Sequence, residues 1–214
     1  MKAKRKEKKL KTDFFAAKPL IYLITDGELT AENFAEKLTA ALKLIEKAVA
    51  SKISLVQIRE KQLSAKLVFE FACKAAQITK NSDTKLLIND RADIALAAKA
   101  DGVHLTANSL SAETIRANFP NNFIIGVSTH SLEKAEFAKN QGADFATFSP
   151  IFYSPNKGKT VGLDALREVC EKLKPFPIIA LGGIDETNYR EVLHIADGFA
   201  AIRFLKELRG EFFV

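Results

Sequence analysis

The chain has 214 residues, 47% of them apolar, enough to bury a core as one larger domain or two small ones, so a disordered chain is excluded. The net charge of +6 resides entirely in Met1 to Thr12, where seven Lys and Arg stand against Glu7, and the rest balances at 25 basic and 25 acidic residues. No global field therefore marks the folded part as a binder of nucleic acid, and residues 1–12 read as a solvated basic arm set apart from a domain at 13–214.

After the arm, short apolar and β-branched runs alternate with stretches of helical periodicity. The first run is PLIYLITD (19–26), followed by a helix pattern at 31–50 with Thr30 as a capping residue. SLVQIREK (54–61) precedes a helix at 63–80, capped by Ser64, in which Cys73 lies. TKLLIND (84–90) leads to a short helix at about 92–99, and then comes DGVHLTA (101–107). NFIIGVSTH (122–130) runs into a helix at 131–141 that opens on Ser131. DFATFSPIF (144–152) precedes a helix at 163–173 that contains Cys170, and FPIIALGGI (176–184) and DGFAAIRFL (197–205) complete the series, with a last helix from Lys206.

Eight strands alternating with helices imply a parallel sheet, and eight such units in about 200 residues suit a single (β/α)₈ TIM barrel better than an open sheet. The two cysteines lack CxxC spacing and nearby His, so they are expected as reduced thiols in the cytoplasm. No apolar run approaches the roughly 18 residues needed to cross a bilayer, and the basic start leads into no apolar leader, so no membrane partner is expected.

In such a barrel the chemistry sits at the carboxyl ends of the strands. The second strand ends in Gln57, Arg59 and Lys61, which alternate with Val56, Ile58 and Glu60, so the pleat places the first three on one face. Two cations converging there suit a phosphate or diphosphate. The third strand ends in Asn89-Asp90, whereas the fourth ends in Thr106-Ala107-Asn108-Ser109 without a carboxylate. The fifth ends in Ser128-Thr129-His130-Ser131, where His130 is placed to move a proton near neutral pH; His104, inside a strand, and His194, on a helix, read as structural. The sixth runs into Tyr153-Ser154-Pro155-Asn156-Lys157, a polar loop with the character of an anion clamp or lid. The seventh ends in Gly182-Gly183 and the eighth in Ile202-Arg203, the loops that in barrels commonly build a phosphate site.

The motifs VQIREK, LLINDRADIALAAKADGVHL, GVSTHS, FYSPNKG and ALGGI, in this order and spacing, resemble the thiamine phosphate synthase family and its relative, the thiazole tautomerases, over roughly residues 20–205. The resemblance implies a Mg²⁺-dependent transferase that couples hydroxymethylpyrimidine diphosphate to thiazole phosphate and releases pyrophosphate. By the resemblance, Gln57, Arg59 and Lys61 match the pyrimidine and diphosphate binders, and Asn89 and Lys157 further diphosphate contacts. Asp90 matches a metal ligand and Ser128 a residue near the reacting centre. Lys61, Ser128 and Lys157, together with His130 from its place at a strand end, are the expected catalytic set, with Ser154 and Asn156 beside them. Gly182, Gly183, Ile202 and Arg203 match the thiazole-phosphate site.

Three departures stand out. Ser109 occupies the place of the usual second acidic metal ligand, the Thr-Pro-Thr-Lys pattern reads Ser154-Pro155-Asn156-Lys157, and Arg203 replaces a Ser. Two other readings follow from them: a thiazole tautomerase-like enzyme working through His130, and a non-catalytic binder of phosphorylated ligands. The expected partners are small phosphorylated molecules; the oligomeric state stays open.

Overall fold

The computed structural model describes residues 13–16, 19–154 and 158–207. Its strands are β1 (Leu20–Ile24), β2 (Leu55–Ile58), β3 (Lys85–Asn89), β4 (Gly102–Leu105), β5 (Ile124–Thr129), β6 (Phe145–Phe148), β7 (Ile178–Leu181) and β8 (Gly198–Ala201). They form a closed barrel in sequence order, and the pairs β1–β2, β2–β3, β3–β4, β5–β6, β6–β7 and β7–β8 run parallel. Between them lie α1 (Phe34–Ala50), α2 (Ala65–Thr79), α3 (Ala92–Ala97), α4 (Ala112–Asn118), α5 (Leu132–Asn140), α6 (Gly162–Leu173) and α7 (Tyr189–Leu193), and α8 (Arg203–Glu207) follows β8. The eight-stranded barrel expected from the sequence is the observed fold. The basic arm lies outside the described residues.

Each helix buries one stripe. On α6 the buried residues are Leu166, Val169, Cys170 and Leu173, at the spacing that brings side chains to one helical face. Ser64, Ser111 and Ser131 cap their helices by accepting from the amides of Leu67, Thr114 and Lys134. Thr30 does not cap α1. It closes a turn with Asn33, accepting from the Asn33 amide at 3.4 Å while Asn33 Oδ1 accepts from the Thr30 amide at 2.9 Å, and the helix starts at Phe34. The last strand is also shorter than its apolar run. It ends at Ala201, and Arg203 and Leu205 belong to α8.

The described residues fall into two compact units, one holding Ile21–His104 and those of 201–207, the other holding those of 13–20 and of 105–200. In the first, Tyr22 on β1 contacts His104 on β4, their ring centroids 5.7 Å apart. These strands are not neighbours in the barrel order, so the contact runs through the interior. Register then assigns the interior face: Gln57 aligns with Leu87, and Asn89, two residues further on, aligns with His104. In the second unit, Phe145 meets Phe15 of the helical turn at 13–16, whereas Phe199 faces outward against Tyr189 of α7.

A repeated device closes the amino ends of the strands. Asp101, Asp144 and Asp197 stand immediately before β4, β6 and β8, and each accepts through Oδ2 from an amide near the start of the preceding strand: Leu86 at 2.8 Å, Ile125 at 2.7 Å and Ile178 at 2.8 Å. Each Asp amide returns a bond to the carbonyl of that same residue, so every clasp is two-pointed. Before β2 the side-chain part falls to Ser54, whose hydroxyl accepts from Ile21 at 3.2 Å. Asp144 is further held by Arg116 at 2.7 Å, and Arg116 also donates to the carbonyls of Phe123 and Gly142.

Candidate active site

At the end of β2 the pleat argument holds for Gln57, which is 1% exposed on the interior face, while Arg59 and Lys61 lie beyond the strand. The Arg59 amide donates to Thr25 Oγ1 at 2.8 Å, and the Thr25 amide donates to the Gln57 carbonyl at 3.0 Å, so the ends of β1 and β2 hold each other. Glu60, between the two cations in sequence, is buried and turned to the β1 loop, where its carboxylate accepts from Gly27 at 3.3 Å and Leu29 at 3.0 Å. Glu60 is thus spent on backbone amides and forms no ion pair with Arg59 or Lys61. Among the described residues neither cation forms an ion pair, although Arg59 is half-buried. Gln57 Nε2 is buried and has no hydrogen-bond partner there either. A buried donor left open is costly, and a half-buried Arg without an ion-pair partner among the described residues suits an incoming anion.

Beneath Gln57, Tyr22 and His104 are fully buried. Burial, with the Arg59 cation nearby, pushes His104 down to about 3, so its ring is neutral. Burial raises the Tyr22 hydroxyl well above the ordinary phenol value, opposed by the facing Gln57 amide. Sequence reading sets His104 aside as structural and passes over Tyr22, because nothing in either strand signals a contact between residues 82 positions apart.

At the end of β3, Asn89 is half-buried and Asp90 exposed. Asp90 takes a left-handed conformation, φ +66°, which Asp tolerates better than most residues, and its amide donates to the His104 carbonyl at 2.9 Å. Turn geometry alone thus explains an Asp at this exposed position. The following Arg91 is engaged with Asp93 through bonds of 2.9 and 2.6 Å. After β4, the Ser109 hydroxyl accepts from the Thr106 amide at 2.7 Å and meets the Thr106 hydroxyl at 3.2 Å, closing a turn. Among the described residues no three His, Cys, Asp or Glu gather as a ready-made metal cage.

In the second unit, Ser128 on β5 aligns with Thr147 on β6, whose Oγ1 is buried without a partner among the described residues. His130 is exposed, and its Nδ1 donates to the Ser149 carbonyl at 2.7 Å, which leaves Nε2 as the basic nitrogen. Ser154 is half-buried beside an exposed Tyr153, and Asn156 and Lys157 lie outside the described residues.

Gly182 and Gly183 have φ of +103° and +65°, and a Cβ on either would press into the loop after β6, 2.8 Å from Pro150 Cα and 2.5 Å from the Tyr153 carbonyl oxygen. The glycines thus fit that loop onto the end of β7, a packing role that the motif alone does not reveal. In the first unit, Ile202 is half-buried and Arg203 exposed at the start of α8. One turn on, Lys206 pairs with Asp26 and lies 3.8 Å from Glu28, fastening α8 to the β1 loop.

The thiamine monophosphate synthase family matches the chain over residues 21–205. The chain is 43% identical over 168 residues to a putative thiamine-phosphate synthase 2 of Aquifex aeolicus, covering 78% of this chain and 86% of that protein. It is 37% identical to the thiamine-phosphate synthase of Clostridioides difficile, covering 85% of each. A solved structure of a thiamine phosphate pyrophosphorylase from Pyrococcus furiosus superimposes with a TM-score of 0.76 at 31% identity, covering 89% of both chains. By a match that reaches all eight strands, the chain belongs to the thiamine monophosphate synthase family.

Proposed function

We infer that this chain is a transferase that joins hydroxymethylpyrimidine diphosphate to thiazole phosphate and releases pyrophosphate. The observation that carries this reading is the end of β2, where Gln57 holds a buried amide donor with no hydrogen-bond partner among the described residues, and Arg59 and Lys61, just beyond the strand, form no ion pair with any of them.

Gln57 meets the pyrimidine, and Arg59 and Lys61 take the diphosphate, whose negative charge grows as the pyrimidine methylene separates from it. Asn89 and Lys157 add diphosphate contacts. The methylene cation is captured by the thiazole nitrogen near Ser128, with Ser154 and Asn156 alongside. Gly182, Gly183, Ile202 and Arg203 receive the thiazole phosphate.

Mg²⁺ fits this set through Asp90, an exposed carboxylate at a strand end. One or two carboxylates with substrate phosphates and water are enough for this ion, and when bound it stabilises the leaving diphosphate. Ser109, already bonded to Thr106, contributes no charge. Ser109→Asp should therefore lower the Mg²⁺ concentration for half-maximal pyrophosphate release, and Asp90→Asn should raise it. Equal midpoints in all three proteins would remove the metal from this place.

The test of the main reading is pyrophosphate release from the purified chain supplied with both substrates, with and without Mg²⁺. A protein that releases none under any condition is not a synthase. His130→Ala should lower the rate by less than about tenfold, since loss of a general acid or base typically costs about 10²–10⁴-fold. A loss of that larger size would place His130 in the chemical step.

A further inference from the structure

Tyr22 and His104 have no part in the coupling step as described, yet they share the barrel interior with Gln57, the residue that meets the pyrimidine. Tyr22 Oη stands 3.1 Å from His104 Nδ1, and both side chains are buried. Register sets Tyr22 opposite Leu55, two residues before Gln57 on the same face, and the Gln57 amide faces the Tyr22 hydroxyl. Gln57 Nε2 nonetheless forms no bond of proper hydrogen-bond geometry among the described residues, so its donor capacity is unspent.

We propose that Tyr22, held by His104, is a positioning residue that fixes the plane of the Gln57 amide, so that Nε2 is offered to an acceptor on the flat ring of the pyrimidine substrate. This rests on the synthase reading above. The terminal torsion of a Gln side chain is broad and nearly two-fold, so an amide in a cavity needs a neighbour to choose its orientation. A phenol has one proton to give. The neutral His104 ring accepts it at Nδ1, which turns the lone pairs of the Tyr22 oxygen toward the amide N–H groups. One face of the Gln57 amide is then set by the protein, and the remaining N–H is left for the ligand.

The test is calorimetric binding of hydroxymethylpyrimidine diphosphate alone, and of thiazole phosphate alone, to the full chain. Tyr22→Phe keeps the ring and removes only the hydroxyl. It should weaken the pyrimidine ligand about tenfold, the size of one neutral hydrogen bond, and leave the thiazole ligand unchanged. His104→Ala should behave the same way, whereas His104→Asn, whose Oδ1 can stand in for Nδ1, should recover most of the affinity.

Unchanged pyrimidine binding in Tyr22→Phe overturns the proposal, as does equal weakening of both ligands with a lowered melting temperature, the mark of a purely structural pair. If the wild type binds no pyrimidine diphosphate, the synthase reading falls and takes the proposal with it. Should Tyr22→Phe fail to fold, the ¹⁵N spectrum of His104 in the wild type decides. A proton on Nε2 with bare Nδ1 supports the arrangement, and a proton on Nδ1 overturns it.

Discussion

Alanine at both Arg59 and Lys61 is expected to remove most of the pyrophosphate release while leaving the melting temperature close to that of the wild type. Charge-assisted hydrogen bonds are worth about 1.5–3 kcal/mol each, so each single variant should lose about 10–100-fold in kcat/KM for the pyrimidine substrate. If the two losses add, the double variant loses roughly 10²–10⁴-fold. Stability should hold because neither cation has a carboxylate partner among the described residues, so truncation strands no buried charge. Arg59 even acts against protonation of His104, an influence that its removal relieves. Steady-state kinetics with thiazole phosphate saturating, beside a thermal melt, checks both halves. A double variant with normal kcat/KM would mean that β2 does not hold the diphosphate.

The second large effect is on folding alone. A Cβ at Gly198 would stand 1.9 Å from the Leu20 carbonyl oxygen, 2.6 Å from its carbon and 2.8 Å from Leu20 Cα. These are backbone atoms, fixed beside the bond that the Leu20 amide gives to the Asp197 carbonyl at 2.9 Å, so no side-chain rotation relieves the clash. Overpacking a tight core commonly costs about 1–3 kcal/mol and sometimes more, and Gly198→Ala belongs at or above the upper end. At about 2–4 °C per kcal/mol for a chain of this size, melting should fall by roughly 6–12 °C or more. A variant melting within about 2 °C of the wild type would show that the contact yields more easily than this close approach indicates.

The eight strands are legible in the sequence because each is a short apolar run bounded by turn residues, with helix-patterned sequence between most of them. The eighth reads too long because AAIRFL stays apolar while the chain passes from β8 into α8, and a short apolar run does not distinguish strand from helix. Thr30 misleads for a related reason: a capping residue and a turn residue look alike, and Asn33 completes a turn first. At the site, what depends on one strand alone is readable, as with Gln57, which the pleat places on the interior face, whereas the strand ends before Arg59 and Lys61. What depends on distant segments is not. Glu60 looks like one more charge in a run until its bonds to Gly27 and Leu29 are seen, and the pairing of Tyr22 with His104 needs the closed barrel.

The Asp clasps bear on how such a chain can change over generations. Each fastens the entry points of two successive strands through one bond to the carboxylate and one backbone bond, with no help from the opposite rim. Strand alignment is thereby settled at the amino end, and the residues that meet substrate are released from that duty. Drift at the two rims should accordingly be visible in different assays. Replacements at Asp101, Asp144 or Asp197 should register as lost soluble yield with normal turnover per folded molecule, whereas exchange of Arg203, placed at the thiazole phosphate by the function proposed above, should show in turnover and leave the architecture beneath intact.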